Sequence, residues 1–387
     1  MNSLLPARTS EFLITQKCNL NCTYCFEKCK SHRDIDMEAF KRAITNDGRF
    51  NAFPISNFYI FGGEPLMNMD FIEQLIAFIE DQPFAAGEKR GYIRSIANNL
   101  ITNGVLINRF IPVFKKYNIS LQVSLDGPED VNDACRVDHN GQGHFPQIME
   151  NLQLCRDNCI PYTLHGACSR ANYRNFCRIN EFFLSEALKN PSKDIERVFY
   201  TNYCQIVFED EITDEDIDIL LEQFYMTVEM ILSTPLLDGY PYATRKTIAE
   251  GFFNRRGGIC SAGVTMYSYD DEFNIFPCHR LNTATESRLN NRLGSLKEDC
   301  KFNYMYYEQF QEVAHRKEMY GAYLDNYDFN RKETYWMNWC PATNWEVSGN
   351  VFQIPSKYNV LEAELQRFLP LLADYFGLEI DNKKFKK

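Results

Sequence analysis

The sequence has no stretch approaching the roughly 18 consecutive apolar residues that a membrane-spanning helix needs. Its start, MNSLLPARTSEFLI, has no basic segment followed by a long apolar run, so no secretory signal is read there. These two absences predict a cytoplasmic protein with no membrane partner. Positive charge is also in deficit: the 387 residues carry a formal net charge of −11. Such a chain repels phosphate backbones, which argues against a nucleic-acid partner. The short basic end, Lys383, Lys384, Lys386 and Lys387, reads as a solvated tail. No internal repeat or low-complexity tract appears, and glycine and proline are not unusual in number. A hydrophobic fraction of 45% is enough for one large domain and an appendage.

Cysteine is what the chain does have, with 14 of them. Where no secretion signal points to disulfides, clustered cysteines more often bind metal. Cys155, Cys159, Cys168, Cys177 and Cys204 stand apart in apolar or mixed segments and are read as small buried hydrophobes. The others fall into groups, taken below.

Strand-like and helix-like segments alternate over the first ~230 residues. Strands are predicted at Glu11–Thr15, Asn57–Phe61, Tyr92–Ala97, Ser120–Leu125, Tyr162–Ala167 and within Val198–Phe208. Helices are predicted at Met37–Thr45, Phe71–Ile79, Ile107–Lys116, Gln147–Cys155, Tyr173–Leu188 and Asp214–Ile231. About six βα units imply an α/β fold with parallel strands covered by helices, and barrels of this kind gather ligands at the carboxyl ends of their strands. The unusual segments all follow predicted strands: the cysteine loop, Gly62-Gly63-Glu64-Pro65, Asn103-Gly104 and Asp126-Gly127. They would share one rim. Beyond about Ala249 glycines, aromatics and short β-like runs take over. The predicted organisation is a barrel at 1–248, a smaller domain at 249–350, and a C-terminal helix (Leu361–Phe376) with the basic tail at 351–387.

Cys18, Cys22 and Cys25 have the spacing C-x3-C-x2-C. Three thiolates on one short loop can hold three irons of a [4Fe–4S] cubane and leave the fourth open. Zinc is the rival, but structural zinc sites usually show paired C-x2-C halves. Cys29 extends the spacing to C-x3-C-x2-C-x3-C, and as a fourth ligand it would make a closed electron-transfer cluster. With Tyr24 before its third cysteine, the loop resembles the signature of the radical S-adenosylmethionine (SAM) superfamily. The resemblance implies a partial (βα)6 TIM-like barrel and a cluster whose open iron binds SAM. It also implies reductive cleavage of SAM to a 5′-deoxyadenosyl radical that takes hydrogen from a substrate. The cofactor then carries the chemistry and the protein orients it.

Further motifs fit the same family. Gly62, Gly63, Glu64 and Pro65 resemble its GGEP turn, which binds the methionine amino group, and glycines permit close backbone approach. Ser124, Leu125, Asp126 and Gly127 resemble the SLDG strand of the branch that includes the anaerobic sulfatase maturases. Ser124 then matches a SAM contact, and Asp126 is taken as a cofactor-binding residue with it. Asn132-Asp133-Ala134-Cys135-Arg136 resembles the HDxxR motif that follows, with Asn132 where His is usual. Arg136 would meet the SAM carboxylate as a bidentate donor. Asn172 is assigned a ribose contact.

The 249–350 segment resembles the twitch or SPASM extension of peptide-modifying members. Cys260, Cys278 before His279 and Arg280, and the distant Cys340 match ligands of an auxiliary [4Fe–4S] cluster, with Leu293-Gly294-Ser295-Leu296 in the usual place after the second. The full SPASM cysteine cluster before the last ligand is absent, so one auxiliary cluster is expected. Cys300 is the nearest unused cysteine for its fourth ligand; an open iron or a substrate thiolate would serve equally. Three structural cysteines remain the plainer reading. In sulfatase maturases an Asp follows the second auxiliary cysteine and acts as base. Here His279 stands there, a proton acceptor near neutral pH. That change argues against formylglycine formation and toward thioether or carbon–carbon cross-links in a peptide or protein.

The first strand begins within about ten residues of the start, so no N-terminal leader-recognition domain is expected, and a separate recognition protein is implied. The electron donor would be a reductase, flavodoxin or ferredoxin. A small-molecule radical SAM enzyme is the second enzymatic reading. A non-catalytic iron–sulfur carrier using Cys29 is the reading of another class.

Overall fold

The computed structural model describes residues 9–27, 32–46, 57–83, 86–98, 100–189, 203–206, 212–253, 266–283, 291–295, 364, 367–368 and 370–379. They fall into two compact units, each discontinuous in sequence. The first draws on the described parts of Met1–Ser124, Arg136–Tyr162 and Ser261–Gln311, the second on those of Leu125–Cys135, Thr163–Cys260 and Glu312–Lys387.

The first unit is built on strands β1 (Thr9–Thr15), β2 (Asn57–Gly62), β3 (Leu100–Thr102), β4 (Leu121–Ser124), β7 (Met266–Tyr269), β8 (Asn274–Phe276) and β9 (Gly294–Ser295). Their order is β4-β3-β2-β1-β7-β8-β9. β1 pairs parallel with both β2 and β7, and β2–β3 and β3–β4 are parallel too. β8 and β9 continue as antiparallel strands. The described strands beyond residue 249, at 266–269, 274–276 and 294–295, therefore share the sheet of the first strand. The helices are α1 (Met37–Asn46), α2 (Met69–Asp81), α3 (Ala86–Asn98), α4 (Ile111–Tyr117), α6 (Phe145–Asp157) and the short α10 (Arg280–Thr283).

β1, TSEFLIT, is buried from Ser10 to Thr15, as expected of a parallel strand flanked on both sides. Phe12 anchors an aromatic core with Phe40, Phe58 and Tyr269, at ring separations of 5.0, 5.8 and 4.9 Å. Aromatic burial of this size dominates core energetics.

The second unit contains β5 (Tyr162–Cys168, from Thr163 on) and β6 (Tyr203–Ile206), paired parallel. Its helices are α5 (Glu129–Asn132), α7 (Phe176–Leu188), α8 (Asp214–Ser233) and α9 (Tyr242–Phe253). Thr213 opens α8 with a capping box: its hydroxyl accepts from the Asp216 N–H (3.2 Å) and its own N–H donates to the Asp216 carboxylate (2.8 Å). Gly166 in β5 is small of necessity, since a Cβ there would sit 2.8 Å from the Leu125 carbonyl oxygen.

Most predicted elements appear within a few residues of their expected bounds. One differs in kind. Tyr92–Ala97, expected as a strand, is helical and belongs to α3; the strand is β3, three residues long and just beyond it. Six residues are too few to separate the two periods, and Ile93, Ile96 and Ala97 also satisfy helical spacing. Cys155, Cys168 and Cys177 are buried as expected, while Cys159 is exposed at a left-handed turn (φ +55°). Burial pushes the thiols of Cys155 and Cys177 up to about 12 and about 11, as inert structural cysteines require. Of the expected C-terminal helix, residues 370–375 are helical. Among the described residues no helix is long and apolar enough to cross a membrane.

Candidate functional site

In the first unit, the segments that leave β1, β2 and β3 and the end of β4 all lie at the carboxyl ends of parallel strands. That is the edge where such sheets gather their ligands.

The loop leaving β1 carries Cys18, Cys22 and Cys25, all half-buried. It is pinned by the backbone. The Cys25 N–H donates to the Cys22 carbonyl (3.1 Å), closing a turn over Thr23 and Tyr24, and the Asn21 N–H donates to the Val137 carbonyl (2.7 Å). His139 Nε2 lies 3.1 Å from the Cys18 carbonyl oxygen. The Leu20 N–H donates to Cys18 Sγ at 3.4 Å.

Among the described residues no three His, Cys, Asp or Glu side chains gather tightly enough to grip a single metal ion. A cubane asks for something different. Each thiolate takes its own iron, so the ligands stand at separate corners of the cluster rather than around one point. Three cysteines on one pinned loop suit that demand better than zinc's tight tetrahedron.

The Gly62-Gly63-Glu64 turn lies directly against this loop. The Gly63 N–H donates to the Thr15 carbonyl (2.9 Å), and the Glu64 N–H to that of Lys17 (2.8 Å). A Cβ on Gly62 would lie 2.4 Å from the Thr15 oxygen, and one on Gly63 would lie 2.4 Å from the Lys17 oxygen and 3.0 Å from Cys18 Cβ. Both obstacles are backbone atoms that cannot swing aside. Gly63→Ala is therefore expected to force the cysteine loop outward. Its signature will be a lowered Tm together with reduced iron uptake on reconstitution; an alanine variant with normal iron content would show that the loop tolerates displacement.

Glu64 is fully buried. Its Oε1 accepts from the Leu66 N–H (3.0 Å) and the Thr102 hydroxyl (2.8 Å), and its Oε2 from the Asn103 N–H (2.7 Å). Burial pushes its pKa up to about 7, against the opposing pull of these donors and the Arg136 charge. Pro65 follows, buried, at the start of a 3-10 turn (Pro65–Asn68). Arg136 is buried and places its guanidinium 5.5 Å from the centre of the Tyr24 ring, a cation–π distance. Ser124 is half-buried at the end of β4. Gly62, Gly63, Glu64, Pro65, Tyr24, Ser124 and Arg136 thus belong to the same unit as the cysteine loop.

Cys278 and His279 also belong to this unit. Cys278 is buried. Both Glu11 carboxylate oxygens lie 3.0 Å from His279 Nδ1, and the His279 backbone N–H donates to Glu11 Oε2 at 3.1 Å. Burial lowers the imidazole pKa, but the Glu11 charge and hydrogen bond outweigh it, and the net shift is upward. Phe26 and Phe61 flank the ring at 5.4 and 5.0 Å. With Nδ1 held by a carboxylate, Nε2 is the imidazole nitrogen left for proton exchange.

Asp126 and Asn172 lie in the second unit, where both tie its own loops. Asp126 Oδ1 accepts from the Ala167 N–H (2.9 Å), and the Asp126 N–H donates to Asn132 Oδ1 (3.1 Å). Asn132, standing where the motif usually has His, is thus the buried brace of the Asp126-Gly127 turn. Asn172 Oδ1 accepts from the Ser169 N–H (2.7 Å), and its amide donates to the Ala167 carbonyl (2.9 Å). Cys29, Cys260, Cys300 and Cys340 lie outside the described residues.

Sequence reading passed over Glu11 and gave Asn103 no role of its own. Glu11 had a signal, being a carboxylate next to the apolar run Phe12–Ile14 of a buried parallel strand, where an ionised group needs a partner. Asn103 had only its place in a turn after a strand.

The model of the radical SAM superfamily matches residues 12–168, the stretch from β1 through β5. The chain carries a radical SAM domain. A radical SAM domain implies a [4Fe–4S] cluster and SAM. The cysteine-type anaerobic sulfatase-maturating enzyme of Clostridium novyi is 29% identical over 184 residues, 44% of this chain and 46% of that enzyme. The radical SAM cyclopropyl synthase TigE of Paramaledivibacter caminithermalis is 25% identical over 183 residues, 43% of this chain and 36% of that enzyme. The match thus spans about half the length of such curated relatives or less. Among solved structures, anSMEcpe with bound AdoMet aligns over 97% of this chain and 96% of its own, with a TM-score of 0.64 at 15% identity. At that identity the likeness is one of fold, and it extends well past the radical SAM domain.

Proposed function

We propose that this protein reductively cleaves SAM at a cluster held by Cys18, Cys22 and Cys25 and abstracts hydrogen from a peptide or protein substrate, leading to a thioether or carbon–carbon cross-link. The observation that carries the reading is the seating of the Gly62-Gly63-Glu64 turn on the cysteine loop through the Gly63–Thr15 and Glu64–Lys17 hydrogen bonds. A cluster ligand set and a carboxylate suited to an ammonium group are thereby locked to one another. When bound, cluster and SAM supply one-electron cleavage of the sulfonium and, with it, an agent that removes a hydrogen atom from an unactivated carbon. The protein's own residues do the rest. Glu64 and the glycine turn meet the methionine amino group, Arg136 its carboxylate, and Ser124 a further polar edge of SAM.

The segment 249–350 is read as a twitch-like extension in which Cys260, Cys278 and Cys340, with Cys300 as candidate fourth ligand, hold an auxiliary cluster. His279, fixed at Nδ1 by Glu11, accepts a proton from the substrate during bond formation. The peptide substrate is favoured by the named relatives, since one matures sulfatases, and a structure of anSMEcpe holds AdoMet with the Cp18Cys peptide. A separate leader-recognition protein and a flavodoxin- or ferredoxin-type donor complete the proposal.

The test is anaerobic reconstitution with a reductant and SAM. The protein should hold about eight irons in two clusters and form 5′-deoxyadenosine; absence of that product sinks the reading, and about four irons would remove the auxiliary cluster from it. His279→Ala is expected to keep SAM cleavage while slowing product formation by a hundredfold or more, the usual range for a lost general base. Unchanged product formation would take His279 out of the mechanism.

A further inference from the structure

Asn103 sits in the turn after β3 and is buried. Its backbone N–H and both polar ends of its side chain are engaged. The backbone N–H donates to Glu64 Oε2 at 2.7 Å. The side-chain oxygen accepts from the Val105 N–H at 3.0 Å. The side-chain amide donates to Asn19 Oδ1 at 2.8 Å and reaches Cys18 Sγ at 3.9 Å. Two amide hydrogens serve these two acceptors, one each. The turn is held from below as well: Gly104 adopts φ +85°, and the Asn151 amide donates to its carbonyl at 2.8 Å.

One short residue therefore joins the buried carboxylate of Glu64 to the sulfur of Cys18. Cys18 Sγ already accepts the Leu20 N–H, so Asn103 adds a second donor to the same sulfur. Donors aimed at a ligand sulfur favour the electron-rich, reduced form of an iron–sulfur cluster and raise its potential. An amide is suited to this because it adds no net charge and cannot lose its proton.

We propose that Asn103 is a positioning residue that tunes the reduction potential of the cluster held by Cys18, through its side-chain N–H···S contact, while its backbone keeps Glu64 in place beside it. The proposal rests on reading the cysteine loop as a cluster site. The electron concerned comes from an external low-potential one-electron donor, and no bond to Asn103 is made or broken.

The experiment is a potentiometric titration of the anaerobically reconstituted full chain. It follows the electron paramagnetic resonance signal of the reduced cluster that changes when SAM is added. Asn103→Ala removes the side-chain donor and keeps the backbone bond to Glu64. Asn103→Ser also removes it, but its hydroxyl can still accept from the Val105 N–H and preserve the turn. Both variants are expected to hold the same iron as wild type, with the midpoint shifted to more negative potential and SAM cleavage slowed most with the weakest reductants. An unchanged midpoint in variants of full iron content overturns the proposal. If Asn103→Ala takes up no cluster, Asn103→Ser decides alone; loss of cluster from both also overturns the tuning role. A wild-type protein with no SAM-responsive cluster would be a different failure, since it removes the functional reading itself.

Discussion

Alanine in place of Cys18, Cys22 or Cys25, one at a time, will leave the reconstituted protein about four irons short and unable to form 5′-deoxyadenosine. The effect should be complete rather than graded. With two thiolates left, the loop offers two iron contacts to a cluster that already lacks a protein ligand at its fourth iron. Two controls give the result its meaning. Cys155→Ala removes a buried thiol that burial has pushed to about 12, and it should leave the iron content and SAM cleavage unchanged. Cys29→Ala separates the two cluster chemistries. An enzyme with an open iron keeps SAM cleavage without Cys29, whereas a closed electron carrier loses its cluster. Retained SAM cleavage in the Cys18, Cys22 or Cys25 variants would refute the central claim.

The cysteine loop was legible because its information is local. Three cysteines within eight residues and a glycine pair after the next strand form the same pattern whatever the rest of the chain does. The parallel α/β class was legible for a similar reason, since period and turn residues set each element. The failures have the opposite cause. Tyr92–Ala97 is helical where a strand was expected because the six residues Tyr-Ile-Arg-Ser-Ile-Ala are too few to separate the two periods, and only the packing decides. In α3 the Tyr92 ring meets Phe58 edge-on at 5.8 Å and the Ser95 hydroxyl accepts from the Phe58 N–H, contacts that come from a strand 37 positions upstream. Glu11 and His279 are separated by 268 residues, and no pattern in either neighbourhood announces the pair. The β1–β7 pairing, which joins the strand of Glu11 to the segment that leads to His279, is equally non-local. Asn132 shows a third case. The resemblance marks it as a departure from the family's usual His, but its role as a brace for the Asp126 N–H follows only from three dimensions.

Glu64 carries the second large effect, and its sign is fixed by burial. A carboxyl lifted from 4.5 to about 7 binds its proton more tightly in the folded chain than in the unfolded one. The folded state is therefore favoured below pH 4.5, and that advantage is lost as pH rises to about 7, by an amount on the order of 3 kcal/mol. Glu64→Gln removes the titration and leaves a neutral side chain similar in shape to the protonated acid. The stability difference between wild type and Glu64→Gln, read by denaturant melts, should move in favour of the variant as pH rises from about 5 to about 8. A difference independent of pH would mean that Glu64 titrates as an ordinary carboxyl. Binding moves the other way, because an ammonium group needs the ionised form. SAM affinity of the wild type should rise about tenfold between pH 6 and pH 7.5, as the carboxyl ionises. Glu64→Gln should bind SAM tenfold or more weakly at pH 7.5, the loss of a charge-assisted hydrogen bond, and show no such rise. Calorimetric titration of SAM at the two pH values decides the matter. Equal wild-type affinity at both would detach Glu64 from the ammonium and leave it only the role visible in its bonds to Leu66, Thr102 and Asn103, that of a buried tie between the ends of β2 and β3.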